Sequence, residues 1–232
     1  MNVLSRDTVR RLERTVIEGI GLPGEVLMEN AARGITDIYL REFSLQPGEE
    51  TFIFCGTGNN AGDGLAVARQ LKTRNYSSRI FLCADPARFR GEALLQYEVA
   101  RKLKIPMESL FEAANVTEVL NSIADQFPIF SCIDALLGTG AAGTPRAPMD
   151  TVITWLNAHS LRTLAIDLPS GLDCETGTPS AFTVRSSVTV TLTAAKPGLV
   201  LPEAEPYVGK LLVSDIGIPL EEVRRYEMEV RG

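Results

Sequence analysis

Residues Thr51 to Arg69, TFIFCGTGNNAGDGLAVAR, pass from an apolar segment through a glycine-dense turn into an alanine-rich segment. A strand that feeds directly into a helix must reach its next parallel partner by a crossover, and Arg79 to Cys83 (RIFLC) supplies that partner. The unit is βαβ, which places the chain in the α/β class. Gly56, Gly58, Gly62 and Gly64 surround Asn59 and Asn60, a composition suited to bringing backbone N–H groups to a phosphate or nucleotide. The same glycines also suit a tight βα connection with no ligand at all.

The rest of the chain follows the same grammar. Strands are expected at Pro128 to Ile133, Thr163 to Ile166, Ser187 to Leu192 and Lys210 to Ser214. Helices are expected at Leu65 to Thr73, Phe89 to Lys104, Val116 to Gln126 and Pro148 to Ala158. In the second of these, Leu94, Leu95, Val99 and Leu103 form the apolar face. Two helices precede the first strand. One is capped by Ser5 and buries Val9, Leu12, Val16, Ile17 and Ile20; the other runs from Glu25 to about Phe43. Hydrophobic residues make up 45% of the chain and aromatics only 6%, a balance that suits helices on a buried parallel sheet and argues against an all-β fold. The expected fold is a Rossmann-like, doubly wound, mostly parallel sheet with helices on both faces. No linker or composition shift divides residues 1–232, so one domain is expected, with 220–232 as a charged terminal helix or tail.

Several function classes are disfavoured. A net charge of -6 without Lys/Arg clusters argues against a surface for duplex nucleic acid or anionic lipid. No apolar run is long enough to span a bilayer, and the first residues lack the core of a signal peptide, so a cytoplasmic protein is expected. Cys55, Cys83, Cys132 and Cys174 have no C-x-x-C spacing and read as buried thiols. His159 is the single histidine and reads as a linker residue, which leaves no histidine zinc site and argues against a Ser-His-Asp triad.

In a doubly wound sheet, ligands bind beyond the carboxyl ends of the strands. The chemistry-bearing residues all map there: Asn59, Asn60 and Asp63 after the first strand, Asp134 after the third, Asp167 and Ser170 after the fourth, and Lys196 after the fifth. Each alone has a local explanation as a helix cap, turn residue or surface lysine. Their coincidence on one rim points to a shared, acidic site. Its amide, carboxylate and hydroxyl oxygens are hard ligands suited to an alkali or alkaline-earth cation. Asp85, about twenty residues beyond Gly64, is either a ribose-binding acid or a turn residue before Pro86.

The motifs GTGNNAGDGLAVAR, IDALLGTG, AIDLPSGLDCETG, LTAAKPGL and DIGIP, with LMENAA near the start, occur in order from about Ser5 to Pro219. In this the chain resembles the NAD(P)H-hydrate epimerase family, also called the YjeF N-terminal domain. The resemblance implies a commonly dimeric enzyme that interconverts the R and S epimers at C6 of hydrated NADH or NADPH. It implies that Asn59, Asn60, Ala61, Gly62 and Asp63 contact the nucleotide, together with the loop Gly138, Thr139, Gly140, Ala141, Ala142, Gly143 and Thr144. It further implies one K⁺ per subunit, held by Asn60, Asp134 and Ser170, and Asp167 beside the reacting ring. Where the family usually has GNNGGDG, this chain has Ala61.

The reacting carbon of such a substrate is a hemiaminal, able to lose hydroxide to form an iminium ion and to regain water on the other face. That chemistry needs an acid, a base and nearby negative charge. With so little histidine a carboxylate is the natural candidate, and Asp167 is the expected acid/base, with Asp134 as the alternative. Lys196 is expected either to orient phosphate or ring oxygen or to lie on the surface. A dehydratase acting on the S epimer is expected to be a separate protein. Two other readings are a non-catalytic nucleotide-binding or scaffolding module and an NAD-dependent dehydrogenase. The NNAGD insert and the lack of a sited histidine count against the dehydrogenase.

Overall fold

The computed structural model describes all residues except Met1, Pro47, Pro128, Ile129, Ala142, Ser160 and Gly232, and omits the side chains of Glu227, Glu229, Val230 and Arg231. The chain opens with α1 (Arg6–Arg14), whose N-cap Ser5 accepts a hydrogen bond from the Thr8 amide, as its sequence demands. A π-helical turn, Thr15–Ile20, follows and ends at Gly21 in the left-handed region. Its wider turn breaks the 3.6-residue spacing on which a common face for Val16, Ile17 and Ile20 depends. Val16 is fully buried, but Ile17 and Ile20 are 39% and 56% exposed, which corrects the expected buried face.

Next come α2 (Gly24–Phe43), β1 (Glu50–Cys55), α3 (Asn59–Thr73), β2 (Ser77–Leu82), α4 (Gly91–Lys102), β3 (Met107–Ser109), α5 (Val116–Ala124) and β4 (Phe130–Ala135). They are followed by α6 (Met149–Ala158), β5 (Thr163–Ile166), β6 (Val188–Leu192), α7 (Glu205–Val208), β7 (Lys210–Ser214) and α8 (Leu220–Arg231). The expected strand at 128–133 began on Pro128 and Ile129, which lie outside the described residues; the described strand ends two residues later and includes Asp134. The three-residue β3 carried too little pattern to be read from sequence.

All seven strands run parallel in one sheet, in the order β3-β2-β1-β4-β5-β6-β7. The chain winds outward from β1 in one direction and then from β4 in the other, so the crevice between β1 and β4 is the topological switch point. Side chains alternate across the sheet. Ile53, Cys55 and Ile133 face a core shared with α1 to α4 and α8, while Phe52, Phe54 and Cys132 face one shared with α5 and α6. Val223 and Tyr226 of α8 are buried, and the Tyr226 hydroxyl bonds Thr15 Oγ1 at 2.6 Å, so the charged terminus is a packed helix.

Two glycines of the opening stretch are needed for close approach rather than for an anion. A β-carbon on Gly64 would collide with Ala135 Cβ, and one on Gly62 would press on the Ala93 backbone. α3 therefore lies tight against β4 on one side and α4 on the other. That closeness also turns α4: its buried positions are Ala93, Gln96 and Ala100, while Leu94, Leu95 and Leu103 are exposed. The expected leucine face of α4 is thus corrected: where Gly62 brings α3 closest, α4 presents Ala93. No helix among the described residues is long and apolar enough to cross a membrane.

Candidate active site

α3 starts six residues before the expected Leu65, with Gly58 as N-cap and Asn59 as its first residue. The asparagine-glycine run is therefore the first turns of a helix whose positive end opens onto the switch point. A cavity of about 590 Å³ lies there, lined by Gly58, Asn59, Asn60 and Asp63 from the β1 side and by Asp167 and Lys196 from the β5–β6 side. Gly138, Thr139, Gly140 and Ala141 line it too, whereas Gly143 and Thr144 do not; Ala142 lies outside the described residues.

Asp167 follows β5 directly and lies in the left-handed region, φ +67°, with the Leu168 amide donating back to the Ile166 carbonyl at 2.8 Å. A non-glycine residue held in so tight a turn carries local strain, of a kind that persists at functional positions. Lys196 is 1% exposed. Its Nζ donates to Asp167 Oδ1 at 2.5 Å, to Thr191 Oγ1 at 3.0 Å and to the Leu192 carbonyl at 3.0 Å. The expected surface placement of Lys196 is therefore corrected: its ammonium is buried and held against Asp167. Thr191 and the Leu192 amide also approach Asp167 Oδ1, at 3.3 and 3.4 Å. Among the described residues, Oδ2 accepts no protein hydrogen bond.

Asp134 is fully buried at the end of β4. The Ser170 amide donates to its Oδ2 at 2.7 Å, the Ser170 hydroxyl to its Oδ1 at 2.7 Å and the Leu136 amide to Oδ1 at 3.1 Å. Burial pushes its carboxyl up to about 6, and the bonds from Ser170 restrain the rise. Asn60 packs against Gly138, where an added β-carbon would touch Asn60 Cβ. Both polar atoms of the Asn60 amide are buried without a partner. A buried amide in this state is missing something polar that belongs beside it.

Asp63 is 6% exposed, and burial, then the charges of Asp167 and Glu13, hold its carboxyl well above the usual range. Glu13 is raised for the same first reason, opposed by Lys196. Sequence reasoning missed Glu13 altogether, along with Arg6 and Arg10. These three stand at i, i+4 and i+7 on α1 and face the cavity. The spacing was available, but a polar stripe on an amphipathic helix looks the same whether it faces water or a ligand. Arg10 Nη2 also donates to the Thr139 carbonyl at 3.3 Å, tying α1 to the β4 loop. Arg88 lines the cavity as well, so its more exposed lining carries guanidinium groups and its buried lining carries the carboxyl groups of Asp63 and Asp167.

Other expected residues lie elsewhere. Asp85 is exposed and accepts from the Ala87 amide at 2.8 Å, the turn role of its two readings. His159 caps α6, its Nδ1 2.8 Å from the Trp155 carbonyl, and does not line the cavity. All four cysteines are free and buried. Ala61 and Gly62 do not line the cavity; Ala61 is fully buried inside α3 with ordinary helical backbone. Its methyl is therefore accommodated, and Ala61→Gly is expected to lower stability by about 0.5–1 kcal/mol through helix propensity with turnover unchanged. Chemical denaturation beside a turnover assay checks this, and lost turnover at wild-type stability would refute it.

The comparisons with known proteins match this picture. The family model described as YjeF-related protein N-terminus matches residues 24–198. An NAD(P)H-hydrate epimerase from Pirellula staleyi is 35% identical over 95% of this chain and 96% of its own length. One from Lentilactobacillus buchneri is 34% identical over 90% and 91%. A bifunctional NAD(P)H-hydrate repair enzyme from Salinibacter ruber is 33% identical over 94% of this chain, which spans 41% of that longer protein. The crystal structure of the yeast protein YNL200c has the same fold, with a TM-score of 0.73 at 24% identity, covering 85% of this chain and 83% of that one. Since the matched residues run from the start of α2 through Lys196, and so hold every strand-end group described above, the chain belongs to the YjeF-related protein N-terminus family.

Proposed function

We infer that the chain is an isomerase, an NAD(P)H-hydrate epimerase that interconverts the R and S epimers of hydrated NADH or NADPH. The observation that carries this reading is the near-full-length match to epimerases, joined to a cavity whose charges suit that substrate. Losing hydroxide from C6 makes the ring cationic, and Asp167 places a carboxylate at the buried wall where such a cation is favoured. The phosphates are anionic, and Arg6, Arg10 and Arg88 line the same cavity. Asp167 is the acid/base in this reading. Lys196 and Thr191 bind one of its oxygens and leave the other for substrate or water.

K⁺ belongs to the proposal as a resident cation. Asp134, Ser170 and Asn60 offer carboxylate, hydroxyl and amide oxygens, and the unpartnered Asn60 amide is what supports the fit. A monovalent cation held there would tie together the loops after β1, β4 and β5 and offset part of the negative charge around Asp134. The proposal also places this chain in a two-step repair with a dehydratase activity, a pairing in keeping with the bifunctional repair enzymes among its relatives.

The test is direct. Supplied with the R epimer of hydrated NADH, the protein is expected to form the S epimer well above the uncatalysed rate, faster in KCl than in choline chloride of equal ionic strength. Nucleotide binding without any interconversion would instead assign a binding module.

A further inference from the structure

Epimerisation presents two faces of one ring, yet the acid/base assigned above serves only one. Resting on the epimerase reading, we propose that Asp63 is a second catalytic carboxylate, acting on the face of the reacting ring opposite Asp167.

The argument begins with topology. Asp63 is carried on α3, directly after β1, and Asp167 stands at the end of β5; β4 lies between those two strands. Gly64, the residue after Asp63, is pressed against Ala135 of β4, and β4 is the immediate neighbour of β5. A helix packed on the sheet and a strand end within it therefore carry the two carboxyl groups to one cavity. Their level also agrees. Cys55 pairs with Ala135 and Asp134 with Ala165. Both residues line the cavity.

The other ionisable side chains there are less suited. Lys196 has each of its three N–H groups committed to an acceptor within 3.0 Å. Arg6, Arg10 and Arg88 keep their protons at any working pH. Glu13 also lines the cavity but is only half-buried, so it is less shielded from water than Asp63. Asp63 is more than nine-tenths buried, lines the cavity, and has no recorded hydrogen-bond partner among the described residues. Desolvation and the nearby charges of Asp167 and Glu13 favour its protonated form. A carboxylic acid kept neutral near a second carboxylate held by a lysine is the environment split that separates acid from base.

The step balances. Asp63 gives its proton to the C6 hydroxyl; the C6–O bond breaks and its electron pair leaves with the oxygen as water. The ring-nitrogen lone pair forms the C=N⁺ bond. A water on the Asp167 side then forms the new C6–O bond with an oxygen lone pair and loses a proton to Asp167, while the C=N⁺ π pair returns to nitrogen. One proton has moved from Asp63 to Asp167, and solvent exchange or the reverse reaction restores the starting state. No redox partner enters.

The experiment follows each separated epimer in H₂¹⁸O, measuring both interconversion and ¹⁸O entry at C6, with enzyme-free rates subtracted. Wild type is expected to couple the two. Asp63→Asn is expected to lose interconversion by at least about 100-fold. It should still admit ¹⁸O with retention into the one epimer whose hydroxyl faces Asp167. Equal loss of exchange and interconversion from both epimers would overturn the proposal, as would wild-type interconversion. Asn is close in shape to a protonated carboxyl and is expected to melt no lower than wild type; should it melt lower, Asp63→Ser is read by the same two assays and judged by the same outcomes. A wild-type protein showing neither activity would refute the epimerase reading itself, which separates that failure from this one.

Discussion

Asp167→Asn is expected to reduce epimer interconversion by about 10²–10⁴-fold, the usual worth of a positioned acid/base, and to lower the melting temperature as well. Asn is the informative replacement because it tolerates the left-handed backbone at φ +67°, so backbone strain does not confuse the result. What changes is the partner of a lysine that is 1% exposed. Removing one member of a buried pair leaves the other charge uncompensated, at a cost of about 3–5 kcal/mol. For a chain of this size each kcal/mol is about 2–4 °C, so a fall of about 6 °C or more is expected. Lys196→Met should destabilise for the mirror reason. The double variant Asp167→Asn/Lys196→Met should recover much of the lost stability and none of the activity, since well-packed neutral groups can replace a buried ion pair without loss. Wild-type turnover in folded Asp167→Asn would remove Asp167 from the mechanism.

Asp134 is expected to make stability depend on pH and on K⁺ together. Its carboxyl titrates at about 6 when folded, above the ordinary 3.8 it regains when unfolded. The folded state therefore holds the proton more tightly. This contribution is fully present below about pH 4, is lost as pH rises to about 6, and is flat above that, a swing of about 3 kcal/mol. Asp63, also raised, acts in the same direction. A cation beside Asp134 favours the ionised form and so offsets the loss. The rise in melting temperature on exchanging choline for K⁺ should accordingly be larger at pH 8 than at pH 5. Scanning calorimetry across that range measures both effects. Asp134→Asn should flatten the slope and abolish the K⁺-specific rise; a variant with unchanged slope and unchanged K⁺ response would sink both the linkage and the cation site.

Some of the motifs that carry the family resemblance turn out to be scaffolding. Asn30 in LMENAA donates to the Ile216 carbonyl in DIGIP at 3.1 Å, and Glu29 bonds Arg69 and Gln70. These contacts fasten α2 to α3 and to the segment after β7, while Leu27, Met28, Ala31 and Ile216 of the same motifs line the cavity.

The amino-acid sequence by itself determined the elements whose signals are local. β5 and β7 fall on their expected residues, Ser5 caps α1, and Asn60, Asp63, Asp134, Asp167, Ser170 and Lys196 gather at one sheet edge. Apolar runs, capping geometry and the carboxyl-end rule for parallel sheets each act over a few residues or one strand, so they are visible in a line of letters. Tertiary structure decided the rest. The leucines of α4 point outward, with Ala93 where Gly62 brings α3 closest, and Ile17 and Ile20 are exposed because a π turn breaks their phase. Lys196 is buried because Asp167, 29 positions earlier, receives its proton donors. Asn59 to Gly64, whose composition suits a phosphate cradle, forms a helix start in which two glycines serve packing while Asn60 and Asp63 reach the site. In each case the deciding energy is a contact between residues far apart in the chain: a collision avoided, or a buried charge matched. Such contacts exist only once the sheet has brought its strand ends together.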